Sequence, residues 1–126
     1  MMISMLAMAA AATAMQSDTT RASREAFTAC LRAYVNRSTE AGLNREAFDR
    51  DYPQQCTAQQ QAFRNAVLAR ETALRATRAN ADEQADMEIE DARVNFSELF
   101  EPAEGQAEAQ PQVQPAAQVQ TAGQPQ

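Results

Sequence analysis

The apolar positions of this chain recur at helical spacing over most of its length. Phe27, Leu31, Tyr34 and Val35 fall at i, i+4, i+7 and i+8, which is one helical face. Cys30 lies beside that stripe, and Arg21, Arg24, Glu25, Arg32 and Arg37 take the other sides. Ser17-Asp18 offers an N-cap, and Gly42 a stop, because glycine accepts the left-handed conformation past a helix end without a Cβ clash. A helix is predicted over residues 18–40. Beyond it, Asn44 can cap a short turn of Arg45, Glu46, Ala47 and Phe48. Leu43, Phe48 and Tyr52 are expected to fold over the helix end as a lid. Pro53 suits the first turn of a new helix and disfavours the helical region for Tyr52 before it.

From Gln54 to Phe100 there is neither Pro nor Gly, and most residues favour helix. Cys56, Phe63, Val67, Leu74, Ala81, Ala85, Ala92, Phe96 and Leu99 follow a period near 3.6. A single helix here would be about 70 Å long at 1.5 Å per residue, more than helix 18–40 can cover. No large apolar residue falls between Leu74 and Met87, and Asn80 with Glu83 reads as a capping pair. Two arrangements stand. Either one long helix has a thinly packed middle, or a helix ends near Arg78 and the next begins after Asn80 and turns back. The absence of a Gly favours the continuous helix.

Both ends of the chain differ from this pattern. Ile3 to Met15 is apolar apart from Ser4 and Thr13. At about 13 residues it is shorter than the ~20 of a spanning helix. It has the length of a signal-peptide core, and Ala12-Thr13-Ala14 near its end reads as a cleavage site, although no Lys or Arg precedes the run. Export with removal of residues 1–14 is the expectation. The alternative is a membrane-tethered protein that keeps residues 1–16 as an anchor. After Pro102 the chain turns to Gln, Pro, Ala and Gly, a composition that cannot bury enough surface to offset its ordering entropy. Residues 102–126 are predicted to be a disordered tail, leaving a helical domain at 17–101.

Cys30 and Cys56 are the only cysteines. In an exported chain two cysteines most simply pair with each other. The predicted fold is therefore all-α, a disulfide-stapled helical hairpin with one long C-terminal helix. The core has five Phe, two Tyr and no Trp, with much Ala, so a staple matters.

Charge divides the chain. Residues 17–80 hold ten Arg and seven acidic residues, a net of +3, and residues 81–108 hold ten acidic residues and one Arg, a net of −9. The split suits an acidic helix folded back on Arg64, Arg70, Arg75 and Arg78, or two molecules pairing head to tail. With no Lys and a net charge of −6, nucleic acid is a poor partner. Catalysis is not expected, since there is no His, no Ser/His or Cys/His pairing and no Gly-rich phosphate loop. No cofactor or metal is expected either. Asp82, Glu83, Asp86, Glu88, Glu90 and Asp91 point in several directions on a helix and read as a solvated acidic face.

The most suggestive surface is the segment carrying Met87, Ile89, Val94, Phe96, Leu99 and Phe100 among acidic residues. These six either pack into the core of a folded-back bundle or form an exposed face that docks a protein client, an envelope component or a second copy of the chain. A periplasmic or secreted protein with a binding or structural role is the reading the sequence favours.

Overall fold

The structure is a computed structural model that describes residues 4–103, with side-chain environments from Ala14 onward. The predicted tail from Glu104 on, and Met1 to Ile3 of the predicted signal segment, lie outside the described residues. The fold is all-α. Helices α1 (Ser4–Glu40), α2 (Arg45–Asp51), α3 (Thr57–Ala73) and α4 (Arg78–Ser97) follow one another, with a single 3-10 turn at Tyr52–Gln54 and no strand among the described residues.

The hairpin of α1 and α3 is antiparallel. Cys30 is bonded to Cys56 with Cα atoms 5.9 Å apart, a normal disulfide span. One turn nearer the N-terminus of α1, Phe27 stacks on Phe63 at 6.0 Å between ring centroids. Further along, the Thr20 hydroxyl donates to the Ala66 carbonyl at 3.4 Å. The stripe read from the sequence is the buried one: Phe27, Leu31 and Val35 are in the core with Phe63 and Val67, and Tyr34 packs against them. Each large side chain so buried contributes about 1.5–3 kcal/mol.

The end of α1 follows its glycine. Gly42 sits at φ +70, with its N–H bonded to the Thr39 carbonyl and the Leu43 N–H to the Ser38 carbonyl, both at 3.1 Å. This is the paired closure of a Schellman end. Asn44 caps α2 by accepting from the Ala47 N–H at 2.8 Å. The lid forms as expected. Phe48 and Tyr52 are buried, with rings 4.8 Å apart, and Phe100, just past the end of α4, lies on Phe48 at 4.0 Å.

The helix expected from residue 18 behind a Ser17-Asp18 cap begins at Ser4 instead, because the apolar run before it continues the same helix. Three further local expectations are corrected. Tyr52 keeps the helical conformation (φ −56, ψ −43) in spite of Pro53, because its N–H closes α2 on the Phe48 carbonyl and its ring is fixed in the core. Pro53 opens the 3-10 turn rather than α3, which starts four residues later behind a left-handed Cys56 at φ 62.

The last correction concerns the long helix. The chain from Thr57 to Ser97 is two helices, and α4 turns back along α3. The break is a second Schellman closure, with the Arg75 N–H on the Thr72 carbonyl (2.9 Å) and the Ala76 N–H on the Glu71 carbonyl (3.0 Å). The left-handed residue it requires is Arg75, at φ 68, so no glycine marks the turn. The cap of α4 is Thr77, whose hydroxyl accepts from the Asn80 N–H at 3.2 Å. It lies three residues before the Asn80 that the sequence suggested.

Candidate functional site

The return of α4 decides where the six suggested contact residues go. Its inner face carries Ala81, Ala85, Ile89 and Ala92, all buried. Ile89 and Phe100 are core residues. Phe96 is half-buried against the core, with the Arg32 guanidinium 5.2 Å from its ring centroid. Met87, Val94 and Leu99 are exposed. Met87 and Val94 are seven residues apart and share one face of α4, opposite the alanines. Glu83, Glu90 and Asp91 are exposed on the same helix.

The acidic run is divided in the same way. Arg64 of α3 pairs with Asp82 at 3.2 Å and with Asp86. Arg70 holds Glu88 at 2.6 Å and Glu71 at 2.8 Å. Burial pushes the Glu88 carboxyl up, but hydrogen bonds from Arg70 and Gln84 outweigh it and hold the group below its ordinary value. Three of the six acids thus fasten α4 to α3, and Glu83, Glu90 and Asp91 face solvent. Among the described residues no three acidic, Cys or His side chains converge as a metal site would need.

Arg93, the one base of the acidic half, holds a position that sequence reasoning missed. Its guanidinium donates to the Gln60 side-chain oxygen at 2.6 Å, the Gln55 carbonyl at 2.7 Å and the Tyr52 carbonyl at 3.1 Å. In return the Tyr52 hydroxyl donates to the Arg93 carbonyl at 2.6 Å. The guanidinium carbon lies 5.4 Å from the Phe27 ring and 5.5 Å from the Tyr52 ring. Burial lowers its pKa, with the nearby Tyr52 opposing. Arg93 so ties α4 to the connection between α2 and α3. A solitary Arg among ten acids was the available signal, since a charge kept against the local trend usually has specific acceptors.

Arg93 also floors a shallow groove of about 340 Å³, lined with Asp49, Tyr52, Pro53, Val94 and Ser97. A second cleft of about 220 Å³, at the other end of the bundle, is lined by Ser17, Thr20, Arg21, Arg24, Arg70 and Glu88. No described helix is long and apolar enough to cross a membrane. No protein-family model matches the chain, and no curated protein and no solved structure matches it.

Proposed function

We propose that the chain is a small exported helical protein, periplasmic or secreted, with a binding or structural role rather than a catalytic one. The observation that carries this reading is the Cys30–Cys56 bond, which engages both cysteines. Such bonds persist in oxidising compartments and are rare where thiols are kept reduced. The apolar run Ile3–Met15, ending in Ala12-Thr13-Ala14, supports it from the sequence. The binding surface is the outer face of α4, where Met87 and Val94 stand exposed among Glu83, Glu90 and Asp91. A protein segment offering basic and apolar side chains complements it.

The test is the intact mass of the native protein, with thiols alkylated before and after reduction. A mass that starts at Met15, with alkylation only after reduction, is the expected result. A mass that starts at Met1 or Met2 with both thiols free would overturn the reading. The binding role fails separately if the chain stays monomeric and holds neither unfolded clients nor envelope components.

One observation favours the membrane-tethered alternative. Helix α1 runs without interruption from Ser4 to Glu40, so residues before Met15 would be a continuous extension of the bundle if retained. A mature N-terminus near Met15 eliminates that alternative.

A further inference from the structure

Helix α1 is 37 residues and α3 is 17, about 55 Å against 25 Å at 1.5 Å per residue. The two are joined at Cys30–Cys56 and run antiparallel, and with Thr20 already beside Ala66 α3 runs past the middle of α1 and stops short of its N-terminus. The place is marked by the second cleft, where Ser17 and Thr20 face Arg70. Two residues before Ser17 lies Met15, 70% exposed, and one turn after Arg70 lies Leu74, 63% exposed. These are the two most exposed large apolar side chains among the described residues. Both stand at the same end of the bundle, close to where α3 stops alongside α1.

That end is also where the exposed positive charge gathers. Arg21, Arg24, Arg75 and Arg78 are all exposed there. Arg21 pairs with Asp18 and Arg78 with Asp82, while Arg24 and Arg75 have no carboxylate within pairing distance among the described residues. The nearest acids without a described ion pair are Glu25, which follows Arg24 on α1, and Glu83 on α4. The opposite end is of the other sign, with Glu40, Glu46, Glu98 and Glu101 exposed and no described ion pair on any of them. Arg32 and Arg37 are also exposed without a described ion pair, further along α1, so what distinguishes this end is that four exposed arginines share it with the two most exposed large apolar side chains.

We propose that this end, which carries Met15, Leu74, Arg21, Arg24, Arg75 and Arg78, rests on an anionic lipid bilayer. The apolar pair enters the interfacial layer, and the guanidinium groups meet the headgroup phosphates. The acidic end is then held away from the surface by the same field. The surface exists whether or not residues 1–14 are removed. Their removal leaves a new positive amine at Met15, and their retention continues the apolar helix outward from the same spot. The inference therefore stands or falls independently of the export reading, which the intact mass decides.

Flotation of the full chain with vesicles tests it, using phosphatidylcholine with and without phosphatidylglycerol. Binding is expected to need the anionic lipid and to fall as salt is raised. Arg75→Gly is the most informative variant, because it removes the charge from a left-handed residue that glycine occupies without strain. It should bind roughly five-fold more weakly, since a basic residue near an anionic surface contributes ~1 kcal/mol. Leu74→Asp, at an exposed position, should weaken binding at least as much while leaving the melting temperature in place. Equal binding to both vesicle types, or binding of both variants like the parent, would overturn the proposal. So would a chain that ignores vesicles and instead forms a dimer that Leu74→Asp dissociates, which would assign this end to a second copy.

Discussion

Replacing Arg93 by Met keeps most of the aliphatic stem and removes the guanidinium, so its effect can be worked out group by group. Three hydrogen bonds disappear, to Gln60, Gln55 and Tyr52, at 2.6, 2.7 and 3.1 Å. A bond from a charged donor contributes about 1.5–3 kcal/mol when buried. Arg93 is only half-buried, so water recovers part of each, leaving ~1 kcal/mol per bond and ~3 in all. The contacts with the Phe27 and Tyr52 rings add about 0.5 kcal/mol each at such exposure. The expected loss is about 3–4 kcal/mol, roughly 15–25 °C in melting temperature for a domain of this size. Arg93→Lys keeps the charge but reaches one acceptor instead of three, and should lose about 2 kcal/mol. Denaturant titration of the oxidised protein, followed by far-UV circular dichroism, measures both. A Met variant within about 1 kcal/mol of the parent would show that water serves the Tyr52 and Gln55 carbonyls as well as Arg93 does. A Lys variant equal to the parent would show that charge, and not the planar fork, holds the connection.

Reduction of the Cys30–Cys56 bond, which closes a separation of 26 residues, should cost about 3–4 kcal/mol on loop-entropy grounds. Melting with and without reductant checks it, and an unchanged midpoint would refute it. Arg75→Gly should raise stability by about 0.5–1 kcal/mol, because the left-handed conformation costs a side-chain-bearing residue more than glycine. A lower melting temperature would mean that the arginine side chain contributes more than its strain costs. Glu88 has a lowered folded-state pKa. Its contribution is present above the ordinary glutamate value and is lost as pH falls through the lowered one. Glu88→Gln should therefore flatten the acid limb of a stability-against-pH profile, and parallel limbs in the two proteins would exclude the Arg70 pairing as the cause.

Periodicity made α1 legible from Asp18 onward but not its start at Ser4, and turn residues and cysteine number made the lid and the staple legible. Phe27, Leu31 and Val35 repeat at helical spacing, Gly42 and Asn44 are turn residues whose side-chain chemistry enforces their conformation, and two cysteines allow one pairing. The α3–α4 turn was not legible for the opposite reason. Its hydrogen bonds are the same as those after α1, but the left-handed position is filled by Arg75. That residue carries no local preference for the conformation. What holds it there is tertiary, namely the burial of Ala81, Ala85 and Ile89 once α4 folds back. Tyr52 fails as a local prediction in the same manner, since its ring stacking and its bond to the Arg93 carbonyl override the effect of Pro53.

The thin middle of the predicted long helix has a physical meaning once the turn is in place. Between Leu74 and Met87 the apolar residues are alanines, and Ala81 and Ala85 are fully buried. Small side chains give that half of α4 little apolar surface with which to hold α3. The work passes to the rim, where Arg64 takes Asp82 and Asp86, and Arg70 takes Glu88. The remaining half of α4 is held differently, by Ile89, by Arg93 and by Phe100 on Phe48. The charge split visible in the sequence is therefore partly consumed within one molecule. What is left over without a described ion pair includes Arg24 and Arg75 at the Met15 and Leu74 end, and Glu40, Glu46, Glu98 and Glu101 with Arg37 at the other. Head-to-tail pairing of two chains would have only these two ends to draw on, because Arg64 and Arg70 are engaged within one molecule. Arg24 and Arg75, at the apolar end and without a described ion pair, are the part of the split on which the proposed anionic surface would act.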